Sequence, residues 1–327
     1  MSLSVSSSSS KTKTVFHVHD YDLSATLDSG QVFRWRQGGN SWTSVIGKNF
    51  VRLTQVENEI CAETARPQNN WDWLCKFLQT EIELETILKT FPGDPPMREA
   101  VAAWRGLRVL RQEPWECLAS FILSSTKQIV QIQQIIALLC ERFGDEIAVP
   151  QNETSAFSFP SPEKIANATE TELRNCKMGF RAPHLLAAAR QIAGGLFDLE
   201  KIRTLDHPGA RAELMKLTGV GAKIADCVLL FAYGFDSAFP VDVWVERALR
   251  ELYFPRRHVG EKKLLHFAAT HFGPHAGYAQ QYLFHFMRTK TDQPPRGQRS
   301  LVFISQKRKI HGLRKIPSTT EATTSEK

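Results

Sequence analysis

The period of the hydrophobic pattern changes once along this chain, and that change limits the fold more than any other feature. From Val15 to about Thr90, short alternating or aromatic runs are separated by turn signals such as GGNS and GKN, the texture of antiparallel strands. A helix, WDWLCKFLQ, is expected next, and FPGDPP at 91–96 is punctuation strong enough to mark a boundary or linker. After Met97 the pattern is helical. ECLASFILSSTKQIVQIQQIIALLCERFG carries apolar residues at steps of three and four, broken by SSTKQ at 124–128, so two helices should meet at a polar corner. SPEKIANATETELRNC reads as two short helices with Ser or Thr N-caps, and RAPHLLAAARQIAGG as a helix ended by paired glycines. Strands first and helices after predict an α+β chain: an N-terminal antiparallel β-sheet domain over 15–93, then a mainly α-helical domain over 94–290. The serine-rich residues 1–14 read as a disordered tail and the basic residues 291–327 as a flexible one.

With 327 residues the chain can bury two ordinary cores. Its Lys+Arg 41 against Asp+Glu 34, a net +7, favours polyanionic partners. KRK at 307–309 reads either as an import or nucleic-acid patch or as a solvated tail. Six cysteines, at 61, 75, 117, 140, 176 and 227, fall in segments that otherwise read as core; none are in C-x-x-C spacing and none follow Cys227. That pattern argues against a zinc ribbon or a C-terminal iron–sulfur cluster and for reduced thiols in an intracellular protein. The start lacks the apolar stretch of a secretory signal, and no apolar run approaches the roughly 20 residues needed to span a bilayer, so a soluble protein without a membrane partner is expected.

One apolar stretch, LTGVGAKIADCVLLFAYGFDSAFPVDVWVERAL, holds two charges that need an explanation. Gly219-Val220-Gly221 can turn tightly between two helices, and bare amides followed by a helix N-terminus suit a DNA phosphate, although an ordinary helix–helix turn would look the same. Lys223 starts the next helix one turn before Cys227, so both lie on one face. A partly desolvated amine there is what covalent catalysis requires; an ammonium reaching into solvent is the plainer reading. Asp242, nineteen residues on, reads as an N-cap whose carboxylate, held by helix amides, should stay ionised at low pKa.

Together these residues resemble the helix-hairpin-helix DNA glycosylases, and the fuller match is to the 8-oxoguanine DNA glycosylase family. The resemblance runs from about Val15 to Arg288 and rests on SGQVFRW at 29–35, RQEPWECLASFILSS at 111–125, MGFRA at 178–182, GVGAKIADC at 219–227, PVDVW at 240–244 and GPHAGYAQQYLF at 273–284. It implies that the helical domain is a helix-hairpin-helix glycosylase domain, acting as a monomer on double-stranded DNA containing oxidised guanine, with no cofactor and no catalytic metal. By resemblance, Lys223 attacks C1′ of the sugar as the flipped base leaves, and the resulting Schiff base can eliminate the 3′ phosphate. Asp242 stabilises the oxocarbenium-like sugar. Gly30 offers a carbonyl to the N7–H of the oxidised base, Gln280 bonds its Watson–Crick edge, and Phe284 and Cys227 flank its faces. Phe284 alone would read as core. An ammonium–thiolate dipole between Lys223 and Cys227 is a finer expectation. Phe180 is the wedge, Arg181 the reader of the orphaned cytosine, and Thr126, Gly219, Val220, Gly221 and Trp244 complete the DNA contacts.

Two departures stand out. The family usually has three asparagines where this chain has Thr126-Lys127-Gln128, and a second cytosine-reading arginine is replaced by Gln131, so preference for cytosine is expected to relax. A histidine usual two residues after the aspartate is here Trp244, whose ring nitrogen cannot accept a hydrogen bond. Two rivals stay open: a related glycosylase for an alkylated base, thymine glycol or adenine, and a DNA-binding module that kept the hairpin without the chemistry. The expected compartment is the cytoplasm or nucleoid of a bacterium, or the nucleus of a eukaryote.

Overall fold

A computed structural model describes residues 11–257 and 259–292. The basic tail beyond 292, with KRK at 307–309, lies outside the described residues, as do residues 1–10. Of the tail expected over 1–14, residues 11–14 belong instead to β1 (Lys11–His17). Its alternation is too polar to announce a strand; order comes from pairing with β5 (Glu59–Gln68), where Lys13 faces Glu63 and Val15 faces Cys61. With β2 (Arg36–Gly38), β3 (Ser41–Ile46) and β4 (Asn49–Val56), these strands make one antiparallel sheet in the order β1-β5-β4-β3-β2.

Period-two burial fixes the register. Leu53 pairs with Ala62, and both are buried with Val51 and Ile60 beneath α1 (Leu23–Asp28) and α2 (Asp72–Leu78), which add Leu23, Leu27, Leu74 and Leu78. Each of these leucine, isoleucine and valine side chains contributes about 1.5–3 kcal/mol by leaving water. The same alternation turns Cys61 outward to solvent, contrary to its expected place in a core. All six thiols are free.

The punctuation at 91–96 is a helix start. Asp94 caps α4 (Pro95–Trp104), its Oδ1 accepting from Met97 N at 2.9 Å, after α3 (Leu84–Leu88) has already sent Leu84 and Ile87 into the helical core. The described residues through Met287 form one compact unit. At its centre α5 (Pro114–Ser124) buries nearly every residue, as a helix apolar on all sides must. The polar turn Ser125–Gln128 leads from it to α6 (Ile129–Phe143), the corner expected from the sequence. A hairpin of two-residue strands, β6 (Glu146–Ile147) and β7 (Ala156–Phe157), precedes α7 (Pro162–Ala166), α8 (Glu170–Leu173) and α9 (Ala182–Ala193). Then come α10 (His207–Leu214), α11 (Ala222–Val228), α12 (Val243–Ala248), α13 (Glu261–His271) and α14 (Ala276–Asp292).

Candidate active site

Helices α10 and α11 form the hairpin that the glycines announce. Gly219 holds φ +84°, and a Cβ there would lie 2.6 Å from His184 Cβ on α9, so only glycine lets the turn press against that helix. Leu217 and Val220 are buried, which makes Val220 a packing anchor of the hairpin. Across the hairpin, Arg211 grips the buried Asp226 through two bonds, 2.7 and 3.2 Å. Burial raises the Asp226 carboxyl and the guanidinium opposes that rise. A buried carboxylate in an apolar helix is a hint of such a partner, though the sequence does not say which arginine.

Lys223 stands on the first turn of α11, half-buried, its Nζ donating to Ser124 Oγ at 3.4 Å and lying 5.4 Å from the centre of the Phe121 ring. Both partners come from α5, some hundred residues earlier, and no local pattern marks them. Asp242 caps α12, its Oδ1 accepting from the amides of Trp244 (3.0 Å) and Val245 (2.9 Å). The cap is as expected, but the low pKa is not. Burial raises the Asp242 carboxyl above the ordinary value, outweighing the amide bonds and the attraction of Lys223. Cys227 feels both: burial pushes its thiol up to about 12, the Lys223 ammonium opposes, and Asp242 adds to the rise. Burial therefore favours the neutral thiol and works against the expected ammonium–thiolate dipole, since one nearby ammonium does not repay taking a thiolate out of water. What the structure brings together is an amine, a desolvated carboxylate and a neutral thiol, each within the others' electrostatic reach.

Beside the α5–α6 corner lies a second group. Gly30 has φ +77°, and a Cβ on it would come within 3.0 Å of Ile129 Cδ1 and 3.1 Å of Phe284 Cε1, so the bare backbone faces an aromatic edge. Its neighbours are tied on both sides. Gln281 Nε2 donates to Ser29 O (2.8 Å), while the buried Gln31 donates to Arg108 O (2.8 Å) and accepts from Leu110 N (2.7 Å). Gln280 and Phe284 share α14, one turn apart and both buried; Gln280 Oε1 has no hydrogen-bond partner among the described residues. A buried unpaired carboxamide oxygen is uncommon in a packed interior and marks a place where another polar group can bind.

At the turn before α9, Phe180 is 55% exposed, whereas Arg181 is 2% exposed and stacks on it, 4.2 Å from guanidinium to ring centre. Arg181 Nη2 donates to Thr126 Oγ1 at 2.5 Å. Trp244 is half-buried against the helical core. A cavity of about 550 Å³ between the sheet and α6 is lined by Arg34, Trp35, Phe50 and Cys140 and contains neither Lys223 nor Asp242, so it does not mark the reactive centre.

Comparison with known proteins agrees with this geometry. Residues 13–118 match the 8-oxoguanine DNA glycosylase N-terminal domain, and residues 119–270 match the helix-hairpin-helix superfamily of base excision DNA repair proteins. A probable N-glycosylase/DNA lyase of Methanothermobacter thermautotrophicus is 31% identical over 301 residues, 83% of this chain and 95% of that one. The N-glycosylase/DNA lyase of Arabidopsis thaliana is 30% identical, covering 80% and 76%. The Clostridium acetobutylicum 8-oxoguanine glycosylase/lyase, solved with double-stranded DNA containing cytosine opposite 8-oxoguanine, superposes with a TM-score of 0.81 at 30% identity, covering 86% of this chain and 97% of that one. Fold and site thus define a helix-hairpin-helix base-excision glycosylase. Within that class, the chain belongs to the 8-oxoguanine DNA glycosylase/lyase family.

Proposed function

We propose that this protein excises 8-oxoguanine from duplex DNA and then cleaves the strand at the abasic site. The observation that carries the reading is the electrostatic coupling of the half-buried Lys223 with the Asp242 carboxyl and the buried Cys227. Lys223 Nζ, as the free amine, attacks C1′ while the C1′–N9 bond breaks and the base leaves with a proton. The adduct opens to a Schiff base, and removal of a C2′ proton expels the 3′ phosphate. Asp242 faces the positive charge that develops on the sugar, where low dielectric strengthens the attraction. Gly30, Gln280, Phe284 and Cys227 receive the flipped purine, the unpaired Gln280 oxygen suiting a donor on its edge. Phe180 is the wedge and Arg181 reads the orphaned base. The amides of Gly219, Val220 and Gly221, with Trp244 and Thr126, line the DNA path. As an enzyme acting on DNA it works inside the cell, in the nucleoid of a bacterium or the nucleus of a eukaryote.

Borohydride reduction on an 8-oxoguanine:cytosine duplex tests this directly. Wild type should give a covalent adduct and Lys223→Gln none; tight binding by wild type with no adduct would make the protein a binding module.

A further inference from the structure

Arg181 is held in a way the opposite-base role alone does not require. Its guanidinium is fixed in three directions: Nη2 bonds Thr126 Oγ1, Nη1 bonds Met178 O at 3.2 Å, and the Phe180 ring lies against its face. Of the five N–H groups of a guanidinium, two are thereby engaged, and the plane of the rest is set. The Thr126 hydroxyl is delivered by a backbone with φ +56°, a left-handed conformation that a β-branched residue adopts only at a cost. Gln131, the other position where a base reader would be sought, is occupied elsewhere. It forms a reciprocal capping box with Gln128, its Oε1 accepting from Gln128 N at 3.2 Å, and so closes the N-terminus of α6.

We propose that Thr126 is a positioning residue for opposite-base selection: its hydroxyl orients the Arg181 guanidinium, and through that orientation decides which base across from the lesion is accepted. This rests on the reading that Arg181 meets the orphaned base, but not on the excision chemistry. Thr126 acts through Arg181 and does not itself read the base. Selectivity then depends on one oriented fork, which replaces the asparagine and second arginine the chain lacks.

The test is equilibrium binding of the full chain to duplexes carrying a tetrahydrofuran abasic analogue opposite each of the four bases. Wild type should prefer one base. Thr126→Val, which keeps the branched shape without the hydroxyl, should reduce that preference roughly tenfold, the scale of losing one hydrogen bond to a charged group. Thr126→Ser should restore it to within about threefold by the same measure. In an Arg181→Ala background, Thr126→Val should change the preference no further. An unchanged preference in Thr126→Val, no preference in wild type, or a Thr126→Val effect that persists without Arg181 would overturn the proposal. Preserved base-dependent binding without release of 8-oxoguanine would defeat the excision reading and leave this one standing.

Discussion

Asp242 combines two roles that substitution can separate. As an N-cap it satisfies two α12 amides through Oδ1, and as a half-buried carboxylate it feels the charge of the amine that would react. Asparagine caps nearly as well as aspartate, within a few tenths of a kcal/mol, whereas alanine forfeits about 1 kcal/mol and at most about 2. Because the folded carboxyl titrates above its unfolded value, its contribution to stability is complete below the unfolded value and is lost as pH rises through the folded one. At neutral pH the ionised group therefore opposes folding, and Asp242→Asn should melt no lower than wild type. Asp242→Ala should melt roughly 2–4 °C lower for each kcal/mol of cap lost. Both remove the charge, so both should slow single-turnover release of 8-oxoguanine by about 10²–10³, the usual scale for one preorganised electrostatic group. Thermal denaturation and single-turnover kinetics on saturating enzyme measure the two effects side by side. If Asp242→Asn released base at the wild-type rate while Asp242→Ala failed in both assays, the carboxylate would be a cap and nothing more.

Gln280→Ala should lower discrimination between 8-oxoguanine and guanine about tenfold, the worth of one hydrogen bond from a buried group; equal discrimination would remove Gln280 from the pocket. Gly219→Ala forces a Cβ onto His184 at positive φ and should cost about 1 kcal/mol or more along with DNA affinity, so an unchanged melting temperature would contradict the packing. With its thiol near 12, Cys227 should resist alkylation at pH 8 in the folded protein and react after unfolding, as peptide mass spectrometry can follow; fast labelling in the fold would show a thiolate after all. Affinity for duplex DNA should fall steeply with salt, and a flat response would argue against phosphate contacts.

What the sequence made legible was local. Periodicity and caps announced α5, α6 and α9, the glycines announced the hairpin, and Asp242 was readable as a cap from its place before α12. The strand at Lys11–Thr14 was not, because its partner β5 supplies the order. FPGDPP is the same lesson reversed: strong turn chemistry that in context starts a helix under Asp94. The direction of the shifts at Asp242 and Cys227 was misread because it is set by how much water the fold removes, which spacing cannot report. Ser124 under Lys223 and Thr126 against Arg181 are contacts between distant segments, visible only once α5, α9 and α11 are packed.

The clamp around Gly30 carries a consequence for how such a pocket can change. Ser29 is fastened to α14 and Gln31 to the 108–110 segment, so the main chain between them is anchored on both sides. A difference of one hydrogen between two purines can be sensed only by an acceptor that refuses to follow the base, and here both anchors, α14 and residues 108–110, belong to the helical domain that follows the sheet. Retuning the enzyme to a different lesion would therefore demand concerted edits to the 29–31 loop and to its two distant anchors, and transplanting that loop alone should blunt its discernment before it harms the chemistry.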